Sequence, residues 1–93
     1  LNRVIIAGSV FRPGNYELTD GLTLLRLIQR ANGLTEDAFV NRGYIKRQAP
    51  GTTEPLLVSF NVAELLAGKT SDIPLFREDS VVIQSRNDLI SQM

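Results

Sequence analysis

The chain has 93 residues, 43% of them hydrophobic and 22% charged, the make-up of one ordinary globular domain with room for a single core. Ten basic residues balance ten acidic ones, which excludes the broadly cationic surface of a nucleic-acid binder, although Arg26 with Arg30 and Lys46 with Arg47 gather in pairs. Cysteine and histidine are both missing, and with them go thiolate chemistry, histidine-based triads, iron–sulfur clusters and most zinc sites.

The first element is "RVIIAGSV", Arg3 to Val10. Its β-branched alternation puts Val4, Ile6, Gly8 and Val10 on one face of a strand and Ile5, Ala7 and Ser9 on the other. Ile5 and Ala7 make the second face partly apolar, as in a central strand or a covered surface. "FRPG" follows, with Pro13 preset for the second position of a turn and Gly14 able to take positive φ at the next. "GNYEL" then resumes a period of two. A phosphate cradle needs a helix N-terminus behind its glycines; here a strand follows Gly14, so the stretch reads as a β-hairpin.

"LTLLRLIQRANG" carries the strongest helical pattern. Thr23 is placed to cap it, Leu22 and Leu27 to staple its entry, and Leu24, Leu27, Ile28 and Ala31 to form one buried face. Gly33 is expected to end it, leaving Arg26, Gln29 and Arg30 outside. After the loop "LTEDAFVN", "RGYIKR" alternates as a half-buried strand, "QAPGTTEP" turns, and "LLVSF" completes a second hairpin. Asn61 caps a short second helix, with Glu64 three residues on and a Phe60–Leu65 staple; Gly68 stops it. A last strand lies around Val81 to Ile83.

The order β-β-α-β-β-α-β describes an α+β domain of the β-grasp type, a ubiquitin-like roll in which a mixed sheet packs on one main helix with a short second helix. Residues 1–85 are expected to form this domain. Residues 86–93 are expected to be a linker to a further one, and a chain opening on Leu1 is expected to be a segment of a longer protein. No apolar run approaches the roughly 20 residues of a membrane span.

Little in the chain supports catalysis. "GKT" at Gly68 to Thr70 lacks the glycine that a P-loop needs five positions earlier, where Ala63 stands, and it follows a helix instead of opening one. Glu36 and Asp37, and Glu78 and Asp79, are neighbours in polar loops, whereas paired acid–base carboxylates converge across a cleft. Asp79 reads as a residue that fixes the turn into the last strand. A β-grasp ferredoxin needs four cysteines and a ubiquitin-type carrier a terminal Gly-Gly, and the chain offers neither. The expectation is no enzymatic activity, no catalytic residue, no metal and no cofactor.

What remains is a surface. Arg42, Tyr44 and Lys46 share one strand face, and Arg12 and Tyr16 stand at the first hairpin; together they supply flat, hydrogen-bonding groups suited to a polar ligand. Exposed charged residues are equally the norm for a solvated sheet face. Ile5 and Ala7 are the candidates for an interface.

The pieces Val4-x-Ile6-x-Gly8-x-Val10-x-x-Pro13-Gly14-x-Tyr16, Thr23-Leu24, "ANGLTEDA", "YIKR" and "DSVVI" together resemble the SLBB family, the soluble-ligand-binding β-grasp domains, over about residues 4–83. Asn32 departs from the family pattern, where a small residue is usual. The pairing of "RPGNYEL" with "ANGLTEDAF" most resembles the polysaccharide export proteins of the bacterial outer membrane. That resemblance implies a periplasmic module acting in capsule or exopolysaccharide export. Its partners would be a polysaccharide or oligosaccharide, neighbouring domains of the parent protein and a homo-oligomeric ring, without nucleic acid and without a membrane span in this segment. Two roles are open: ligand binding through Arg12, Tyr16, Arg42, Tyr44 and Lys46, or translocon assembly through Ile5 and Ala7.

Overall fold

The computed structural model describes residues 2–48, 51 and 53–86. Residues 87–93 of the expected linker, and part of the turn at 48–55, lie outside the described residues. The chain runs β1 (Arg3–Gly8), β2 (Gly14–Glu17), α1 (Leu24–Arg30), β3 (Gly43–Gln48), β4 (Pro55–Phe60), α2 (Val62–Leu66) and β5 (Ser80–Ile83). The strands form one sheet in the order β2-β1-β5-β3-β4. β1 and β5 pair in parallel at its centre and every other neighbouring pair is antiparallel, which is the α+β β-grasp architecture the element order predicts.

One sheet face is buried. Val4 and Ile6 from β1, Val81 and Ile83 from β5 and Ile45 from β3 turn inward and pack with Leu24, Leu27 and Ile28 of α1, and α2 adds Val62 and Leu65 to the same core. Each such side chain contributes about 1.5–3 kcal/mol by leaving water. The period of two in the strands and of 3.6 in the helix therefore decides which face is closed.

β1 ends two residues before the alternation does. Gly8 turns to φ 98°, Ser9 N–H donates to Ile83 O at 2.8 Å, and Val10 N–H donates back to Gly8 O at 2.9 Å, a γ-turn that lifts the chain out of the sheet. Val10 stays buried and bridges to Leu34. The "FRPG" stretch then lies along the end of α1: Phe11 N–H donates to Gly33 O at 3.2 Å and Arg12 N–H to Ala31 O at 2.9 Å. The hairpin's connection thus satisfies carbonyls that the helix terminus would leave open.

Both helices are capped as expected at their starts. Thr23 Oγ1 accepts from Arg26 N–H and Asn61 Oδ1 from Glu64 N–H at 2.9 Å. At the end of α1 the left-handed turn begins one residue earlier than Gly33. Asn32 takes φ 65° and donates to Gln29 O, while Gly33 N–H donates to Ile28 O at 2.9 Å. This is a Schellman closure with asparagine in the left-handed position.

The Lys46–Arg47 pair is divided by the sheet. Lys46 is exposed on the open face, whereas Arg47 lies inward, beyond Ile45. There Arg47 Nε donates to Asp79 Oδ1 at 3.1 Å and Nη2 to Asp79 Oδ2 at 2.9 Å, with a further bond to Pro74 O at 3.2 Å. Its guanidinium stacks 4.4 Å from the centre of the Phe76 ring. Asp79, fully buried, also accepts Phe76 N–H at 2.8 Å, so its carboxylate pins the turn into β5.

Candidate functional site

Among the described residues the second sheet face carries neither α1 nor α2, since the buried residues of both helices belong to the inner core. Directly opposed residues of paired strands share a face, so the register gives the surface row by row. One row runs Asn15, Ile5, Ser80, Lys46, Leu57, and the next runs Ala7, Val82, Tyr44, Ser59. From β1 to β4 the platform spans about 14 Å, three inter-strand spacings. Ile5, Ala7, Ser80, Val82 and Tyr44 are half-buried, shielded by neighbouring strands, while Lys46, Leu57 and Ser59 are exposed.

This layout separates the sequence candidates into two groups. Tyr44 and Lys46 stand together on the open face, Arg42 is exposed just before β3, and Ile5 and Ala7 lie on the same face two strands away. The insertion of β5 between β1 and β3 joins the expected ligand residues to the expected interface residues. Tyr16 is elsewhere: it opposes Val4, on the inner face, where it packs against the core. Its hydroxyl donates to Arg12 O at 2.6 Å and lies 3.4 Å from Arg30 O. Arg12 is exposed at that same hairpin end, with its backbone bound to α1. The structure therefore does not bring Arg12 and Tyr16 to Tyr44.

Ser80, Val82, Leu57 and Ser59 complete the face and were not singled out from sequence. Strand alternation would have given their parity, but only the long-range register shows that Ser80 and Leu57 flank Lys46 and that Val82 and Ser59 flank Tyr44. In the loop before β3, Thr35 Oγ1 donates to the Asp37 carboxylate, and Arg86 Nη2 donates to the backbone carbonyl of Glu36 at 2.9 Å. Among the described residues no three His, Cys, Asp or Glu side chains converge as a metal site. No helix among them is long and apolar enough to cross a membrane. A shallow recess beside Asn2, Leu18, Asp20, Thr23 and Pro74 involves none of the candidate residues.

The face offers one aromatic ring, a primary ammonium, a nearby guanidinium and two hydroxyls on a rigid, half-apolar sheet. Such a surface binds by stacking and hydrogen bonding. Two comparisons bear on the chain as a whole. The family model described as SLBB domain matches residues 3–54, more than half of the chain. A search of curated proteins gives no match.

Proposed function

Because the chain belongs to the SLBB family, a family of ligand-binding domains, we propose that it is a non-catalytic periplasmic module of a bacterial polysaccharide export protein, and that its open sheet face takes the glycan. The observation that carries this reading is the position of Tyr44, on the face away from α1 and α2, between Val82 and Ser59 with Lys46 on the same strand. Tyr44 would receive the apolar side of a sugar ring while Arg42, Lys46, Ser80 and Ser59 serve its oxygens. Arg12 and Tyr16, bound into the hairpin, are not drawn upon. Affinity at one such face is weak, and copies held close together raise it through effective concentration without new contacts.

Tyr44→Ala is expected to weaken binding of envelope oligosaccharides by about fivefold or more, the loss of roughly 1 kcal/mol that marks a substantial contact, with the amide spectrum of the fold retained. NMR titration of the variant against the parent chain checks this, and equal affinities would contradict it.

A second reading, assembly of the export translocon, is favoured by the apolar residues of the same face. Leu57 is 57% exposed and shares a row with Ile5, while Ala7 and Val82 add half-buried apolar surface beside them. On this reading Ile5→Glu dissociates the oligomer of the parent protein and leaves glycan affinity as it was. An intact oligomer by light scattering removes Ile5 from the interface.

A further inference from the structure

Most of the arginines that border the core are already committed. Arg3 pairs with Glu78 at 3.2 Å, Arg47 with Asp79 at 2.9 Å, and Arg30 reaches Glu17 O and Thr19 Oγ1. Arg42 and Lys46 are different. Both are exposed, and among the described residues neither has an ion pair or a side-chain hydrogen bond. They bracket Tyr44 at two residues on either side, about 13 Å from end to end along the extended chain.

Among the described residues the surroundings leave their charge uncompensated. The three strands that carry this part of the face read "GYIKRQ", "PLLVSF" and "SVVI", without one acidic residue. The outward carboxylate of the same sheet is Glu17, on β2 at the far edge, and Glu78 is taken by Arg3. In a chain with equal numbers of acids and bases, the ring of Tyr44 is thus flanked by two cations that no described residue pairs.

We propose that the ligand of this face is an anionic glycan, one whose sugar rings carry carboxylates. The inference rests on the glycan reading of Tyr44 and narrows it. Tyr44 holds a ring by its apolar side while Arg42 grips a carboxylate with its two-pronged guanidinium and Lys46 holds a second as a point charge, both through charge-assisted hydrogen bonds. The hydroxyls of Ser80 and Ser59 lie beside Lys46 and Tyr44 and are free to serve uncharged oxygens of the chain.

The test uses oligogalacturonates and their fully methyl-esterified counterparts of equal length, titrated into the isotope-labelled chain at low and moderate salt. The acid form is expected to bind about tenfold more tightly at low salt, with shifts at Tyr44 and Lys46, and the advantage shrinks as salt screens the contacts. In the double variant Arg42→Gln, Lys46→Gln the two forms are expected to bind alike. Equal binding of acid and ester to the parent chain would overturn the anionic preference while leaving glycan binding in place. An acid preference that survives the double variant would overturn the assignment to these residues. Binding of neither form at millimolar concentration would overturn the glycan reading itself, and this inference with it.

Discussion

Gly8→Ala is expected to destabilise the domain by about 4 kcal/mol or more, among the largest effects a single methyl group can have. An alanine Cβ at this position would sit 1.9 Å from Ile83 O and 2.8 Å from Ile83 C. These are backbone atoms of the partner strand and cannot swing aside. The φ of 98° adds a penalty of its own for any residue with a side chain. Relief requires β1 and β5 to separate where Ser9 N–H bonds to Ile83 O, and these are the two strands at the centre of the sheet. The same separation would detach Ala7 from Val82, so stability and the β1 side of the open face fail together. Urea denaturation checks this, and a variant within 1 kcal/mol of the parent would show that the close approach is not enforced.

The second large effect separates two adjacent cations. Arg47→Met is expected to cost about 3–5 kcal/mol, because it leaves the fully buried Asp79 carboxylate with the Phe76 N–H and no counter-charge. Lys46→Met, one residue earlier on the opposite face, is expected to cost less than about 0.5 kcal/mol, as exposed positions without packing roles do. Denaturant midpoints of the two variants, measured side by side, give the comparison. Similar losses would mean that the ion pair contributes no more than a solvated one.

That contrast also marks how far the sequence was legible. The β-grasp order, both helix N-caps, the buried stripe of α1 and the division of β1 into a Val4–Ile6 face and an Ile5–Ala7 face follow from local periodicity and capping chemistry, and the structure has them. Asp79 was recognisable as a turn residue, but not its partner. Arg47 lies 32 positions earlier, and in sequence it reads as half of a basic pair with Lys46. Alternation alone assigns those two to opposite faces; it does not say which face is closed until the helix is docked. The candidate site divides for the same reason. Tyr16 and Tyr44 are equivalent as sequence features, yet the register Val4↔Tyr16 turns one toward the core and Tyr44↔Val82 leaves the other on the open side. The parallel insertion of β5 between β1 and β3, made by residues near the end of the domain, is a non-local event that no short motif encodes.

Asn32 carries a related lesson. In sequence it is only the residue before the expected stop at Gly33, whereas in the fold it takes the left-handed position that closes α1. Its closure also presents Ala31 O and Gly33 O to the first hairpin, which holds Arg12 and Tyr16 away from the open face.

The most direct measurement is an amide-shift titration of the isotope-labelled chain with oligosaccharides at millimolar concentration. A glycan-binding sheet face predicts saturable shifts at Tyr44, Lys46, Ser59 and Val82, while Leu27 and Ile28 on the buried side of α1 stay still. Shifts confined to the hairpin at Arg12 and Tyr16, or none at all, would contradict it.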